Sequence, residues 1–179
     1  MKKNLLVTFA IVCAIAANAQ SISNTSYQTA SGEKVLRLEF VLPISQTDAW
    51  RYFSNDDMLA KWAAPLAHIE RRTGGYLVTN YDKAKSMSDT SSIRTTISNY
   101  IEGQLLTLKV KLNNSFPKST QNEDQNLQEI IQLIQIDPQH TKIVSSMVGW
   151  GQGQAWDKTY SFFDKGNTWT YDQLLKLFK

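Results

Sequence analysis

The stretch Gly149-Trp150-Gly151-Gln152-Gly153-Gln154-Ala155-Trp156 decides the architecture of this chain, because it joins an extended run to a long amphipathic segment. Beyond Gly153, bulky residues recur at Trp156, Tyr160, Phe163, Leu174 and Leu177, and three- and four-residue steps through Asn167 and Thr170 keep one helical face in phase. The spacing predicts a single long helix at the end of the chain. Three large aromatics near its start would present a broad apolar surface, which is unfavourable in water unless a sheet or a ligand covers it. A concave partner surface is therefore expected opposite.

Working back from the helix, residues 142–148, 127–136, 105–112, 92–101, 76–81 and 67–71 read as short strands. Turn signals separate them: Thr73-Gly74-Gly75, Glu102-Gly103 and Asp137-Pro138-Gln139-His140. Such short connections make the strands antiparallel neighbours. A further strand at 35–42 alternates, with Leu36, Leu38, Phe40 and Leu42 on one side and Arg37 and Glu39 on the other. After Pro43, Ser45-Gln46-Thr47-Asp48 has the spacing of a capping box and opens a short helix carrying Trp50 and Phe53. A second short helix follows, with Asp56 and Asp57 in its first turn and Met58, Leu59 and Trp62 as apolar contacts before Pro65. The order is thus strand, two short helices, six strands and a long helix. This is an α+β fold: a curved antiparallel sheet of about seven strands wrapped around the C-terminal helix, with the two short helices plugging one end and a cavity left at the other.

The chain opens with Lys2 and Lys3, an apolar run over 5–17, and the small-residue pattern Ala17-Asn18-Ala19 before Gln20. That pattern predicts a bacterial-type signal peptide over residues 1–19, and hence export to the periplasm or medium. The run is shorter than the roughly 20 residues of a spanning helix, so no stable membrane anchor is expected after cleavage. Cys13, the single cysteine, follows Val12 rather than the small residue that lipidation needs, which argues against a lipoprotein. Losing Lys2 and Lys3 takes the 19 basic residues to 17 against 16 acidic ones, a net charge of +1. Charges of both signs are mixed, including around Arg71-Arg72 and Lys83/Lys85, and nothing resembles a phosphate-tracking face, so nucleic acid is not an expected partner. Residues 20–34 are polar without an apolar period and read as a flexible leader; 35–179 form one domain. The polar segment 113–126, with Pro117 and Glu123-Asp124, reads as a solvated loop, or alternatively as the rim of an opening.

Three motifs, in order, resemble one family: Asp57-Met58-Leu59-Ala60-Lys61-Trp62 with Pro65, then Arg72-Thr73-Gly74-Gly75-Tyr76, then Gly149-Trp150-Gly151-Gln152-Gly153-Gln154-Ala155-Trp156-Asp157. Together they look like the activator of heat-shock-protein-90 ATPase homologue family of the SRPBCC superfamily. The resemblance spans roughly 35–178. It implies the helix-grip fold of START lipid-transfer domains and the birch-pollen allergen, and it implies structural rather than catalytic roles for Gly74, Gly75, Gly149 and Gly153 and for the tryptophans beside them. The predicted export separates this chain from any cytosolic chaperone and its ATP, so activation of that chaperone is not expected.

No zinc helix motif, phosphate loop, nucleophile elbow or paired-cysteine site occurs. His68 is a candidate general base if it faces the cavity, but no carboxylate or nucleophile stands beside it in sequence, which favours a structural role. His140 belongs to a turn, and Ser145 and Ser146 lack a recognisable base. Trp62, His68, Tyr76, Trp150, Trp156, Tyr160 and Phe163 are the candidate pocket residues, with core packing as the alternative for each aromatic. The expected function is retention of a small apolar or amphipathic molecule, with no cofactor or metal and no specified protein partner. Acid/base chemistry in the same cavity, of cyclase or hydrolase type, and a co-chaperone-like interaction surface are the alternatives.

Overall fold

A computed structural model describes residues 21–179; the expected signal peptide, residues 1–19, lies outside the described residues. The chain contains strands β1 (Ser23–Asn24), β2 (Tyr27–Gln28) and β3 (Lys34–Leu42), then helices α1 (Gln46–Ser54) and α2 (Asp56–Leu59). Strands β4 (Leu66–Ile69), β5 (Tyr76–Asn80), β6 (Ile93–Ile101) and β7 (Leu105–Lys109) follow, then α3 (Lys118–Asn122), β8 (Gln128–Asp137), β9 (His140–Val148) and α4 (Gln154–Lys176). The sheet runs β1-β3-β9-β8-β7-β6-β5-β4, with β2 also on β3 and every pairing antiparallel. A register shift between Ile97 and Asn99 marks a bulge in β6, the kind of irregularity that bends a strand and lets a sheet curl.

The alternating strand at 35–42 is β3, with Leu36, Leu38, Phe40 and Leu42 all buried. Ser45 caps α1 by accepting from the Asp48 N–H at 3.2 Å, and Asn55 caps α2 through the Met58 N–H at 3.2 Å. These two helices and the turn after α2 deliver Phe53, Leu59 and Trp62 to the core. The Trp62 ring stacks on Tyr171 of α4 with centroids 5.7 Å apart, and its Nε1 donates to the Tyr52 carbonyl at 2.9 Å.

The structure departs from the sequence reading at several points. The polar segment read as a flexible leader is tied down: β1 and β2 pair with β3, the Ser26 Oγ accepts from the Arg37 N–H, and Asn24 donates to Asp164 on α4 at 2.8 Å. Backbone pairing along a sheet edge requires no apolar period, so periodicity could not reveal it; the segment also covers what would otherwise be an open edge. The 113–126 segment is largely solvent-exposed, as a loop would be, but it contains α3 and is anchored as a rim by a few packed residues. Thr120 and Asp124 are buried within it, and Asp124 accepts from the Leu112 N–H at 2.8 Å and from Lys111 Nζ at 2.6 Å.

The inner face of α4 holds the expected Trp156 and Leu174, with Tyr160 and Phe163 packed against the core, and departs from the reading at its C-terminal end. It carries Trp156, Thr159, Tyr171, Leu174 and Leu175, while Leu177 is exposed. Leu177 is the C-cap residue, one position past the last residue of α4, so the inward face ends at Tyr171, Leu174 and Leu175. In the Thr73-Gly74-Gly75 turn the two glycines meet different demands, and the positive φ belongs to Gly74, at +79°. Gly75 is required for space: a Cβ there would lie 2.3 Å from the Glu70 carbonyl oxygen.

Candidate functional site

On the concave face, cross-strand neighbours form rows. One row runs Leu36, Met147, Glu129, Leu108, Ile97 across β3, β9, β8, β7 and β6. Every member except Glu129 is a buried apolar residue. The adjacent row carries Leu38, Ser145, Ile131 and Leu106. The pleat therefore aims one carboxyl and one hydroxyl into an otherwise apolar surface, and α4 lays Tyr171 over them.

Ser145 Oγ donates to Glu129 Oε1 at 2.6 Å, and Tyr171 Oη donates to the same oxygen at 2.7 Å. Burial pushes the Glu129 carboxyl above its ordinary value of 4.5, outweighing the two hydrogen bonds, which act the other way. The Tyr171 phenol lies well above 10, chiefly through burial and then through the neighbouring carboxylate, so it stays a proton donor. Tyr171 is held in turn by Trp62 and by Phe40, whose ring centroid is 5.2 Å away.

Glu129 forms part of the floor of a cavity of about 540 Å³ between the sheet, α2 and α4. This falls within the range of about 300–1,000 Å³ seen for small-molecule sites. Leu77, Leu106, Leu108 and Ile131 line the sheet side, Trp62 and Leu59 close one end, and Phe163, Asn167 and Thr170 line the helix side. Phe116, on the 113–126 rim, stacks on Phe163 at 5.7 Å and meets Phe162 edge-on at 5.1 Å. The mouth carries the exposed side chains of Tyr81, Phe162 and Trp169. A second, more polar cleft of about 650 Å³ lies beside Trp150, Lys34 and Gln128.

Of the candidate pocket residues, Trp62 and Phe163 line the apolar cavity. Trp150, Trp156 and Tyr160 instead form an aromatic cluster at the sheet-to-helix junction, with Trp150 4.9 Å from Tyr160 and 5.8 Å from Phe163 between ring centroids. His68 and Tyr76 lie together away from the cavity. Their rings are 5.9 Å apart, and the Arg94 guanidinium sits 3.3 Å over the Tyr76 ring. His68 does have a carboxylate beside it, Asp56 at 2.8 Å, which sequence proximity did not disclose. The same Asp56 accepts from the Ile69 N–H at 2.9 Å, so the pair tacks α2 to the sheet edge.

Glu129, Ser145 and Tyr171 were not among the sequence candidates. The available signal was Glu129 itself, two and four residues before Ile131 and Leu133 on the inward side of an alternating strand. Among the described residues no cluster of three or more His, Cys, Asp or Glu is arranged to hold a metal ion, and no helix is long and apolar enough to cross a membrane.

The carboxyl has a consequence for stability. In the folded chain Glu129 keeps its proton to higher pH than in the unfolded chain, so the folded state binds more protons above about pH 4.5 and loses stability as pH rises toward the folded value. Glu129→Gln removes this loss. In urea titrations at a series of pH values, the variant should gain on the wild type progressively from about pH 4.5 upward and then level off. Carboxylates held low on the surface, such as Glu39 beside Lys142, act in the opposite sense but equally in both proteins. A pH-independent difference would show that burial does not govern the carboxyl.

No protein-family model matches the chain, and no curated protein matches its sequence. Solved structures share its fold. The Aha1 dimer from Colwellia psychrerythraea matches with a TM-score of 0.59 at 14% identity, over 80% of this chain and 92% of that one. Protein MLL2253 from Mesorhizobium loti matches at 0.61 and 11% identity over 80% and 95% of the two chains. Protein NE0264 from Nitrosomonas europaea matches at 0.56 and 17% identity over 80% and 92%. The chain thus shares the fold of these structures, the Aha1 dimer among them: a curved antiparallel sheet gripping a long C-terminal helix.

Proposed function

We propose that this protein is exported and holds a small apolar or amphipathic molecule between its sheet and α4. The observation that carries this reading is the open, mostly apolar cavity of about 540 Å³ with one half-buried carboxyl, Glu129, in its floor. A close-packed helix-grip core would have filled that volume with side chains. The Met1 to Ala19 pattern supports export, and N-terminal sequencing of the processed protein should begin at Gln20.

Native mass spectrometry of protein purified from its own host tests the binding reading, with a retained small molecule released on denaturation as the expected result. Ala63→Phe, which adds a ring to the cavity wall, should abolish retention. His68→Ala should leave it unchanged, because His68 lies outside the cavity. Empty protein from the host that also fails to take up an apolar dye would overturn the reading. Acid/base catalysis is the second reading, and one observation favours it: the Glu129 carboxyl, held above its usual value inside an apolar cavity. Conversion of a retained molecule to a product of different mass, lost in Glu129→Gln, would establish it.

A further inference from the structure

We infer that the ligand is an amine: a single apolar chain bearing an ammonium group that docks on Glu129 Oε2. This deepens the binding reading and rests on it. The two oxygens of Glu129 are not equivalent. Oε1 accepts from both Ser145 and Tyr171, whereas Oε2 has no hydrogen-bond partner among the described residues and remains accessible from the cavity. An acceptor left open in an apolar enclosure is stabilised by a donor that arrives with the ligand.

The remaining charges select the sign of that donor. The lysine lining the cavity, Lys111, is paired with Asp124 at 2.6 Å and its side chain is largely exposed, so its charge is already met at the rim. The other titratable groups of the lining are the phenols Tyr81 and Tyr171, and Tyr171 is committed to Oε1. An anionic headgroup placed at Glu129 would meet a like charge, or would have to capture the carboxyl's proton. A hydroxyl would supply a neutral hydrogen bond. An ammonium supplies a charge-assisted one and also relieves the desolvation that holds the carboxyl above its usual value. Leu77, Leu106, Leu108, Ile131 and Phe163 offer an apolar wall to an alkyl chain, and the polar groups elsewhere in the lining, such as Thr95, Asn167 and Thr170, are neutral and do not compete with Glu129 for a cation.

Calorimetric titration of the purified protein with dodecylamine, dodecanol and dodecanoate, each below its aggregation threshold, tests this. Dodecylamine should bind roughly ten- to a hundredfold more tightly than dodecanol, and dodecanoate most weakly at neutral pH. Amine affinity should rise as pH increases from acidic to neutral, because the carboxylate form is the one that binds. Glu129→Gln should erase the amine's advantage and flatten its pH dependence while keeping dodecanol affinity within about threefold.

Equal affinity for the three compounds, or a preference for dodecanoate, would overturn the amine assignment and leave the cavity reading intact. Failure of all three and of an apolar dye to bind would overturn both. Should Glu129→Gln fail to fold, the wild-type ligand order and the direction of its pH trend decide the question without it.

Discussion

Replacing Trp156 with alanine should lower the unfolding free energy by about 3–5 kcal/mol and leave ligand retention unchanged. The indole is 2% exposed, at the start of α4. It sits against the Gly151 backbone so closely that a Cβ at that position would lie 2.1 Å from its Nε1. The same Nε1 donates to Glu123 Oε2 at 2.8 Å, which ties the helix start to the 113–126 rim, and the ring packs edge-on to Trp150 at 6.4 Å. Trp156 does not line the apolar cavity. Truncation therefore opens a void in packed structure rather than enlarging a binding site. Urea midpoints and dye retention of the variant check both halves of the expectation. A stable variant with weakened retention would identify the indole as pocket wall instead.

Gly149→Ala should be comparably severe, costing about 3 kcal/mol or more, although it adds one methyl group. Two terms act together. The backbone holds φ at +83°, and an added Cβ would lie 1.9 Å from the Asn126 carbonyl oxygen. That oxygen is main chain at the entry to β8, and it cannot swing aside as a side-chain tip would. Shifting it would drag Leu127, which is fully buried and whose carbonyl accepts from the Val110 N–H at 2.9 Å. Gly153→Ala is the matched control. Its φ is +91°, but a Cβ there meets nothing within 4 Å, so only conformational strain of about 1–2 kcal/mol is expected. Equal losses in the two variants would mean that φ alone sets the role of Gly149.

The glycines at this junction show how far linear spacing reaches. Their clustering marks a tight change from strand to helix, yet three different physical demands are hidden in one motif. Gly149 needs both its φ and its closeness to Asn126, Gly151 makes room for the Trp156 ring, and Gly153 supplies the φ at the N-cap of α4. Gly151 is absent from the set that family resemblance singles out, because its constraint comes from a side chain five residues later folding back over it.

Local pattern alone determined the order and type of the elements from β3 to α4 with the exception of α3, which lies in the polar segment read as a loop or rim. Alternation in 35–42 assigns residues to one face of a strand, glycines mark the turns, and three- and four-residue steps identify a helix, since each of these is a relation between residues close in the chain. Only the tertiary structure decided what stands opposite each face. The pairing of β3 with β9, the seating of 23–28 on the sheet edge and the packing of the rim all join distant segments. The site belongs to this second kind. Glu129 could be placed on the inward side of its strand, but Ser145 is 16 residues away and Tyr171 is 42. Cross-strand register brings the first to the carboxyl, and the packing of the inward face of α4 over the sheet brings the second. The enclosure that raises the carboxyl exists only once sheet, rim and helix have closed around it, because desolvation is a property of the surroundings and not of the residue.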